Sequence, residues 1–209
     1  MSASFAELAL RLAELGRCAH GRGWVLGTSG NFSAVVSPRP LRLAITASTL
    51  HKGKLTAGEI LEIDGDGQPT AEHPGRPSAE TLLHLEIVKR RGAGAVLHTH
   101  SVWSTILSGR HVKEGGLRLE GFEMLKGLDA IPTHEHREWV PIVENDQDMT
   151  RLSGRVRSVM QEFDRAHAFL IARHGLYTWG RTLTDAERHV EILEFLFEAI
   201  GREVPPVGT

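Results

Sequence analysis

The hexapeptide Ala95-Val-Leu-His-Thr-His100 ends a run of small and apolar residues with two histidines that stand two positions apart. In an extended strand, residues two apart point to the same face of the sheet, so this pattern predicts a strand that brings His98 and His100 together. Two imidazoles on one face supply half of a zinc site. The alternative interpretation at this point is a coincidental pair on a half-exposed strand.

Helical and strand patterns alternate on both sides of this segment. Pro77 at a helix start, Ser78 as its cap and an apolar stripe that stops before Gly92 predict a helix leading into the histidine strand. Further helices are predicted at residues 5–21 behind Ser4, at 148–163 and at 185–200 behind Thr184, with strands at 31–36, 41–46, 60–63, 139–143 and 168–172. This order predicts an α/β fold: one layered domain over residues 1–209, with a central, largely antiparallel sheet flanked by helices.

The composition is that of an ordinary globular protein. The 209 residues carry a formal net charge of -2, 41% are hydrophobic and 24% are charged. This balance gives no electrostatic reason to expect nucleic acid or an anionic membrane as a partner. Residues 1–20 lack the unbroken apolar stretch of a signal peptide or membrane span, since four charged side chains interrupt it. The single cysteine, Cys18, fits a reducing compartment, so we expect a cytoplasmic protein.

A catalytic zinc usually takes three protein ligands and leaves its fourth position open, so a third ligand is needed. His174 is the first candidate because it follows a predicted apolar strand and precedes Gly175, where backbone can approach closely. A second pair, His134 and His136, lies in a charged run and is interpreted as part of a solvated loop.

Three segments carry groups that suit an anion such as a phosphate ester. Residues 27–31 (Gly-Thr-Ser-Gly-Asn) can form a nest of backbone N–H groups, although turn formation is the favoured interpretation of this segment on its own. Residues 46–49 with Lys52, and Ser78 at a helix start, add hydroxyls and positive charge. Together they make a phosphorylated substrate a working hypothesis.

Two carboxylates are candidates for a general base, namely Glu80, one helical turn before His84, and Glu123. A zinc ion and a carboxylate cooperate in proton abstraction next to a carbonyl, because the metal stabilises the enediolate that the base creates. For an isolated glutamate, a solvated surface position is the alternative.

In their order along the chain, residues 27–31, Pro77-Ser-Ala-Glu80, His98-Thr-His100 and Arg173-His-Gly175 resemble the class II aldolase and adducin superfamily. The resemblance covers nearly the whole chain. It implies one zinc ion per subunit on His98, His100 and His174, catalytic roles for Glu123 as the acid/base residue and for Glu80 near the metal, and a homotetramer. It also implies a phosphate site formed by Thr28, Ser29, Gly30, Asn31, Thr46, Ser48 and Ser78.

Three further segments, residues 120–127, 141–145 and 173–180, look like a dehydratase branch of that superfamily. That branch removes water from a phosphorylated methylthio ketose in methionine salvage, so a lyase acting on a sugar phosphate is expected. One alternative is a sugar-phosphate aldolase or epimerase, such as the fuculose-phosphate aldolase type, which uses tyrosines as proton donors. This chain has only Tyr177. The other alternative is a non-catalytic adducin-like scaffold. The presence of all three histidines and both glutamates argues against it.

Overall fold

The computed structural model describes residues 3–203. These residues form five α-helices and eight strands, together with three short 3₁₀ helices: α1 Phe5–Gly21, β1 Asn31–Pro38, β2 Leu41–Thr46, β3 Ile60–Asp64, α2 Thr81–Arg91, β4 Ala95–Thr99, α3 Val102–Arg110, β5 Gly116–Glu120, β6 Arg137–Val143, α4 Met149–Glu162, β7 Ala168–Ile171, β8 Gly175–Gly180 and α5 Leu183–Glu203. Within the described part, none of the helices is both long and apolar enough to cross a membrane.

All eight strands join one sheet in the order β3-β2-β1-β4-β8-β7-β6-β5. Every neighbouring pair in that order is antiparallel except β6 and β7. The α/β class and the largely antiparallel sheet are therefore confirmed. The single domain over residues 1–209 stays a prediction.

Strand β4 lies in the middle of the sheet and is buried along its whole length. Its side chains alternate between two apolar cores: Leu97 packs with α1, α3 and α5, whereas Val96 packs with α2 and α4. This alternation sends His98 to the α2 side and Thr99 to the α5 side. The histidine strand is thus covered by helices on both faces.

Two helix starts differ from the predicted ones. Helix α2 begins at Thr81, because the Ser78 hydroxyl accepts the amide of Glu80 in a turn that precedes the helix. Helix α5 begins at Leu183, and Thr182 rather than Thr184 caps it: the Thr182 hydroxyl accepts the amide of Asp185 at 3.1 Å, and the Asp185 carboxylate accepts the Thr182 amide. The predicted cap of α1 is confirmed, with a reciprocal capping box between Ser4 and Glu7.

Candidate metal centre and phosphate pocket

Three histidines converge at the end of β4. His98 is the fourth residue of β4, His100 follows the strand, and His174 lies in the turn between β7 and β8. The Nε2 atom of His98 is 2.8 Å from that of His100 and 3.3 Å from that of His174, and the last two are 3.2 Å apart. His100 was predicted to lie on the strand, but it lies one residue beyond the end of β4, and its amide donates to the carbonyl oxygen of Trp24.

The protonation of these rings suits metal binding. The Nδ1 atom of His98 lies 2.8 Å from the carbonyl oxygen of Leu176 and therefore carries the hydrogen, which leaves the lone pair of Nε2 facing the other two rings. Burial, assisted by the neighbouring His98, lowers the pKa of His100 to about 2. A neutral imidazole is the form that binds a metal.

The spacing of the rings also fits a metal. Zinc–nitrogen bonds of 2.0–2.1 Å at tetrahedral angles place two ligand nitrogens about 3.3 Å apart. The three observed separations, 2.8 to 3.3 Å, are close to that value. The three histidines therefore have the spacing of zinc ligands, and the tautomer of His98 leaves Nε2 free to bind a metal.

Glu80 supplies a carboxylate to the same cluster. Its Oε1 atom lies 3.1 Å from Nε2 of His174 and 3.5 Å from Nε2 of His98, and the ligand atoms of all four residues lie within 4.8 Å of one another. Burial by itself would raise the pKa of Glu80, but the contacts of its carboxylate with His98 and His174 outweigh burial and hold that pKa well below its ordinary value. The carboxylate is therefore ionised beside the three histidines.

A buried chain of hydrogen bonds holds the second carboxylate oxygen of Glu80, Oε2. The Asn31 amide nitrogen donates to Oε2 of Glu80 at 2.5 Å, and the Asn31 amide oxygen contacts Nε2 of His84. The other nitrogen of His84 is 2.7 Å from the hydroxyl of Ser33. Burial lowers the pKa of His84 to about 3, so this ring is a neutral link. The sequence predicts no functional role for His84, because its contact with Ser33 forms only in the folded protein.

Two glycines allow the strands of the site to approach each other closely. A Cβ atom on Gly175 would lie 2.0 Å from the carbonyl oxygen of Thr99, and one on Gly30 would lie 2.7 Å from that of His98. Gly30 also has a φ of 71°, in the left-handed region. Glycine is therefore required on both sides of the histidine strand.

A small pocket of about 170 Å³ adjoins the cluster. Six of the residues predicted to surround a phosphate line it: Thr28, Ser29, Gly30, Asn31, Ser48 and Ser78. Glu80 and His100 form part of the same wall, so the pocket opens directly onto the histidines. Its hydroxyls come from three separate segments, the loop before β1, the loop after β2 and the turn before α2.

Lys52 adds a buried cation to this pocket. It is only 1% exposed, and its ammonium group donates to the carbonyl oxygens of Leu50 at 2.9 Å and Thr28 at 3.3 Å. These bonds connect the two loops that provide most of the hydroxyls. Burial lowers the pKa of Lys52, and the Glu80 carboxylate opposes this change.

Two residues of the predicted site lie elsewhere in the single chain. Thr46 is wholly buried in β2, and its hydroxyl accepts the amide of Phe32 at 3.2 Å, so it stabilises the β1–β2 pair instead of lining the pocket. Glu123 is outside the cluster: its carboxylate is 72% exposed, 2.7 Å from Nζ of Lys126 and 3.7 Å from Nδ1 of His134. The catalytic role of Glu123 stays a prediction.

The fold is that of one known class of proteins. The sequence profile described as the class II aldolase and adducin N-terminal domain matches residues 10–200. The chain belongs to this family.

Among relatives, the methylthioribulose-1-phosphate dehydratase of Methylococcus capsulatus is 47% identical over 195 residues, which cover 93% of each protein. That of Sorangium cellulosum is 43% identical and covers 94% of this chain and 92% of its own.

Solved structures show the same fold at lower identity. YgbL from Klebsiella pneumoniae superimposes with a TM-score of 0.80 at 22% identity, covering 96% of this chain and 91% of its own. The L-fuculose-1-phosphate aldolase of Thermus thermophilus gives a TM-score of 0.73 at 24% identity over 94% of both chains. The class II aldolase fold is thereby confirmed.

Proposed function

We propose that this protein is a zinc-dependent lyase that converts 5-methylthioribulose 1-phosphate to 2,3-diketo-5-methylthiopentyl 1-phosphate in methionine salvage. The observation that carries the proposal is the identity of 47% and 43%, over more than nine tenths of the chain, to proteins named for this dehydration. The site supplies what the reaction needs: a candidate metal centre, two candidate carboxylates and an adjoining polar pocket.

His98, His100 and His174 would hold one Zn²⁺ per subunit. A zinc ion bound there acts as a Lewis acid that polarises the substrate carbonyl and acidifies the neighbouring C–H bond. The support for this assignment is the ring spacing and the hydrogen on Nδ1 of His98.

The polar pocket would anchor the phosphate group. Lys52 gives it positive charge, while Ser48 and Ser78 give it hydroxyl donors. Anchoring one end of a small substrate fixes its reacting carbons relative to the carboxylates. The binding energy of the phosphate group aids the reaction in this way.

The proton transfer is assigned to Glu123. It takes the proton from C3 and returns it to the C4 hydroxyl, which leaves as water, and the resulting enol rearranges to the diketone. Glu80, ionised beside the histidines, accepts a hydrogen bond from a substrate hydroxyl. Since Glu123 is exposed and outside the cluster of its own chain, we propose that it serves the site of a neighbouring subunit in a homotetramer. The resemblance to the superfamily implies active sites near subunit contacts.

The aldolase alternative, as in the fuculose-phosphate aldolase type, uses tyrosines as proton donors. The one tyrosine of the chain, Tyr177, is wholly buried in β8 and stacked between two other rings, so it does not reach a substrate in the pocket. This favours dehydration over carbon–carbon cleavage. We also propose a cytoplasmic location, for which the exposed free thiol of Cys18 is the support.

The deciding experiment gives the metal-loaded protein methylthioribulose 1-phosphate and fuculose 1-phosphate in parallel. We expect the diketone phosphate from the first and no products of carbon–carbon cleavage from the second. Cleavage of fuculose 1-phosphate, with methylthioribulose 1-phosphate recovered unchanged, would establish the aldolase instead.

A further inference from the structure

Strand β1 and helix α2 join four polar side chains in one buried hydrogen-bond network. Asn31 and Ser33 lie two positions apart on β1, so they face the same side of the sheet. His84 lies on α2, one turn after Glu80, and its ring contacts both of them. His84 and Ser33 are wholly buried, and Asn31 is only 4% exposed. The network ends at the Glu80 carboxylate, which borders the three histidines.

The direction of each hydrogen bond in this network follows from the chemistry of its groups. An ionised carboxylate only accepts hydrogen bonds, so the Asn31 nitrogen faces Glu80, at 2.5 Å. The Asn31 oxygen then accepts the hydrogen on Nε2 of His84. Burial lowers the pKa of His84, so its ring is neutral and Nδ1 carries no hydrogen. Nδ1 therefore accepts the hydroxyl of Ser33, 2.7 Å away.

His84 removes a freedom that the Asn31 side chain would otherwise have. Without the His84 donor, the amide oxygen would be buried without a partner, and the side chain would turn to find one. That turn would carry the amide nitrogen away from Oε2 of Glu80. The other oxygen, Oε1, lies 3.1 Å from Nε2 of His174 and 3.5 Å from Nε2 of His98. The direction of the whole carboxylate toward the histidines thus depends on the network behind it.

We propose that His84 is a positioning residue, which acts through Asn31 to keep the Glu80 carboxylate directed at the three-histidine centre, while Ser33 fixes the His84 tautomer. This inference rests on the proposed metal-dependent function of the same site. A histidine that served only to pack α2 against the sheet would be replaced by leucine without any effect on metal binding.

The test is the affinity of the protein for zinc, measured by competition with a chelator. We expect His84→Leu to bind zinc about 10- to 100-fold more weakly, as is typical when a group that supports a metal site is lost. His84→Gln should stay close to the wild-type affinity, because its side-chain N–H takes the place of the Nε2–H group. Ser33→Ala keeps the donor but frees the tautomer, so it should weaken binding by a smaller factor. This variant also keeps the test available if His84→Leu does not fold.

His189→Leu is the matched control. His189 is also a buried histidine on a helix, and both of its ring nitrogens have hydrogen-bond partners, the carbonyl oxygen of Trp179 and the amide of Asp129. Its replacement removes a similar number of hydrogen bonds at a distance from the Glu80 carboxylate. We expect the affinity for zinc to stay at the wild-type value.

A double-mutant cycle shows whether His84 acts through Glu80. In the Glu80→Ala background, His84→Leu should weaken zinc binding no further. The measurement needs no substrate, so it decides the role of His84 whether or not methylthioribulose 1-phosphate is converted. Wild-type affinity in His84→Leu, or equal weakening by His84→Leu and His84→Gln, would overturn this inference alone. A wild-type protein that binds no zinc would overturn the proposed metal-dependent function together with it.

Discussion

His98 is fixed for metal binding from two directions. Its Nδ1 atom donates to the carbonyl oxygen of Leu176, and Tyr177 stacks on its ring. Such restraints settle both the tautomer and the angle of the ring before any ligand arrives. The preorganisation comes from β8, which lies next to β4 in the sheet.

Replacing any one of the three histidines should therefore remove the metal. We expect His98→Ala, His100→Ala and His174→Ala to lose bound zinc and turnover while they still fold, since a catalytic zinc site needs three protein ligands. Metal analysis of the purified variants by plasma mass spectrometry checks this. The control is His111→Ala, at the end of α3, which should keep its zinc. Full zinc content in the three variants would place the metal elsewhere.

Lys52 provides a separate test of the proposed phosphate site. We expect Lys52→Met to raise KM about 10- to 100-fold, because a hydrogen bond to a charged group contributes about 1.5–3 kcal/mol. Zinc content should not change. Lys54→Met is the matched control, since Lys54 lies on the same short 3₁₀ helix (Lys52–Lys54) but is exposed. Equal KM values for the two variants would remove Lys52 from the binding site.

How far single residues could be predicted depends on how local their partners are. The histidines and most of the hydroxyls were identifiable because their motifs are short. Thr46 was misplaced because its orientation on β2 depends on the pairing with β1, where it meets the Phe32 amide. His84 was missed because its partners, Asn31 and Ser33, are about fifty residues away along the chain.

At the scale of elements, the turn between β7 and β8 carries His174 into the site, and Gly175 makes that possible. A methyl group on Gly175 would collide with the carbonyl oxygen of Thr99, which lies on the facing strand. We expect Gly175→Ala to destabilise the protein by at least about 2 kcal/mol, as overpacking does in a closed interior. Denaturant unfolding measures this.

The same substitution in open surroundings gives the control. Gly154 lies within α4, and a Cβ atom there meets nothing within 4 Å. Gly154→Ala should stabilise the protein by about 0.5–1 kcal/mol, because alanine loses less conformational freedom in a helix. If the two variants change stability in the same direction, the close approach of the two strands is not what requires glycine at position 175.

Helix α5 holds a buried carboxyl against the back of the histidine strand. The Thr99 hydroxyl donates to Oε1 of Glu194 at 2.5 Å. Burial raises the pKa of Glu194 from 4.5 to about 7, while its hydrogen bonds with the hydroxyls of Ser101 and Thr99 oppose this. Because the folded state binds this proton more tightly than the unfolded state, its contribution to stability is complete below pH 4.5 and is lost as the pH rises to about 7.

Glu194→Gln removes that titration. As the pH rises from 4.5 to 7, we expect the free energy of unfolding of the variant to increase relative to that of the wild type, by at most roughly 3 kcal/mol. Above pH 7 the difference between the two proteins should stay constant. Urea unfolding at a series of pH values checks this. Glu198→Gln, at an exposed position on the same helix, is the control and should show no such trend. A difference that is flat across this pH range would contradict the raised pKa.

Elements were predictable where caps and apolar stripes are strong, as in α1 and α4. Helix α3 was missed because Val102-Trp-Ser-Thr-Ile-Leu contains mainly poor helix formers and is held by the Ser101 cap and by α5. Strand β8 was missed because glycines bound it at both ends, a pattern that also suits a loop. In both cases, tertiary packing outweighs local preference.

At the scale of the whole molecule, the role of Glu123 decides whether each active site is formed by one subunit or shared between two. If Glu123 serves a neighbouring subunit, Glu123→Gln and His98→Ala chains should each be inactive alone and should regain part of the activity when they are mixed and allowed to reassemble. Light scattering of the same samples should give the mass of a tetramer. Activity that stays absent in verified mixed tetramers would assign each site to one chain.

The most direct test of a zinc-dependent dehydration at the three-histidine site is a metal titration of the metal-depleted protein, with formation of the diketone phosphate from methylthioribulose 1-phosphate as the signal. We expect turnover to rise in proportion to added Zn²⁺ and to stop rising at one ion per chain. Turnover by the depleted protein without added metal, or none at full zinc loading, would contradict it.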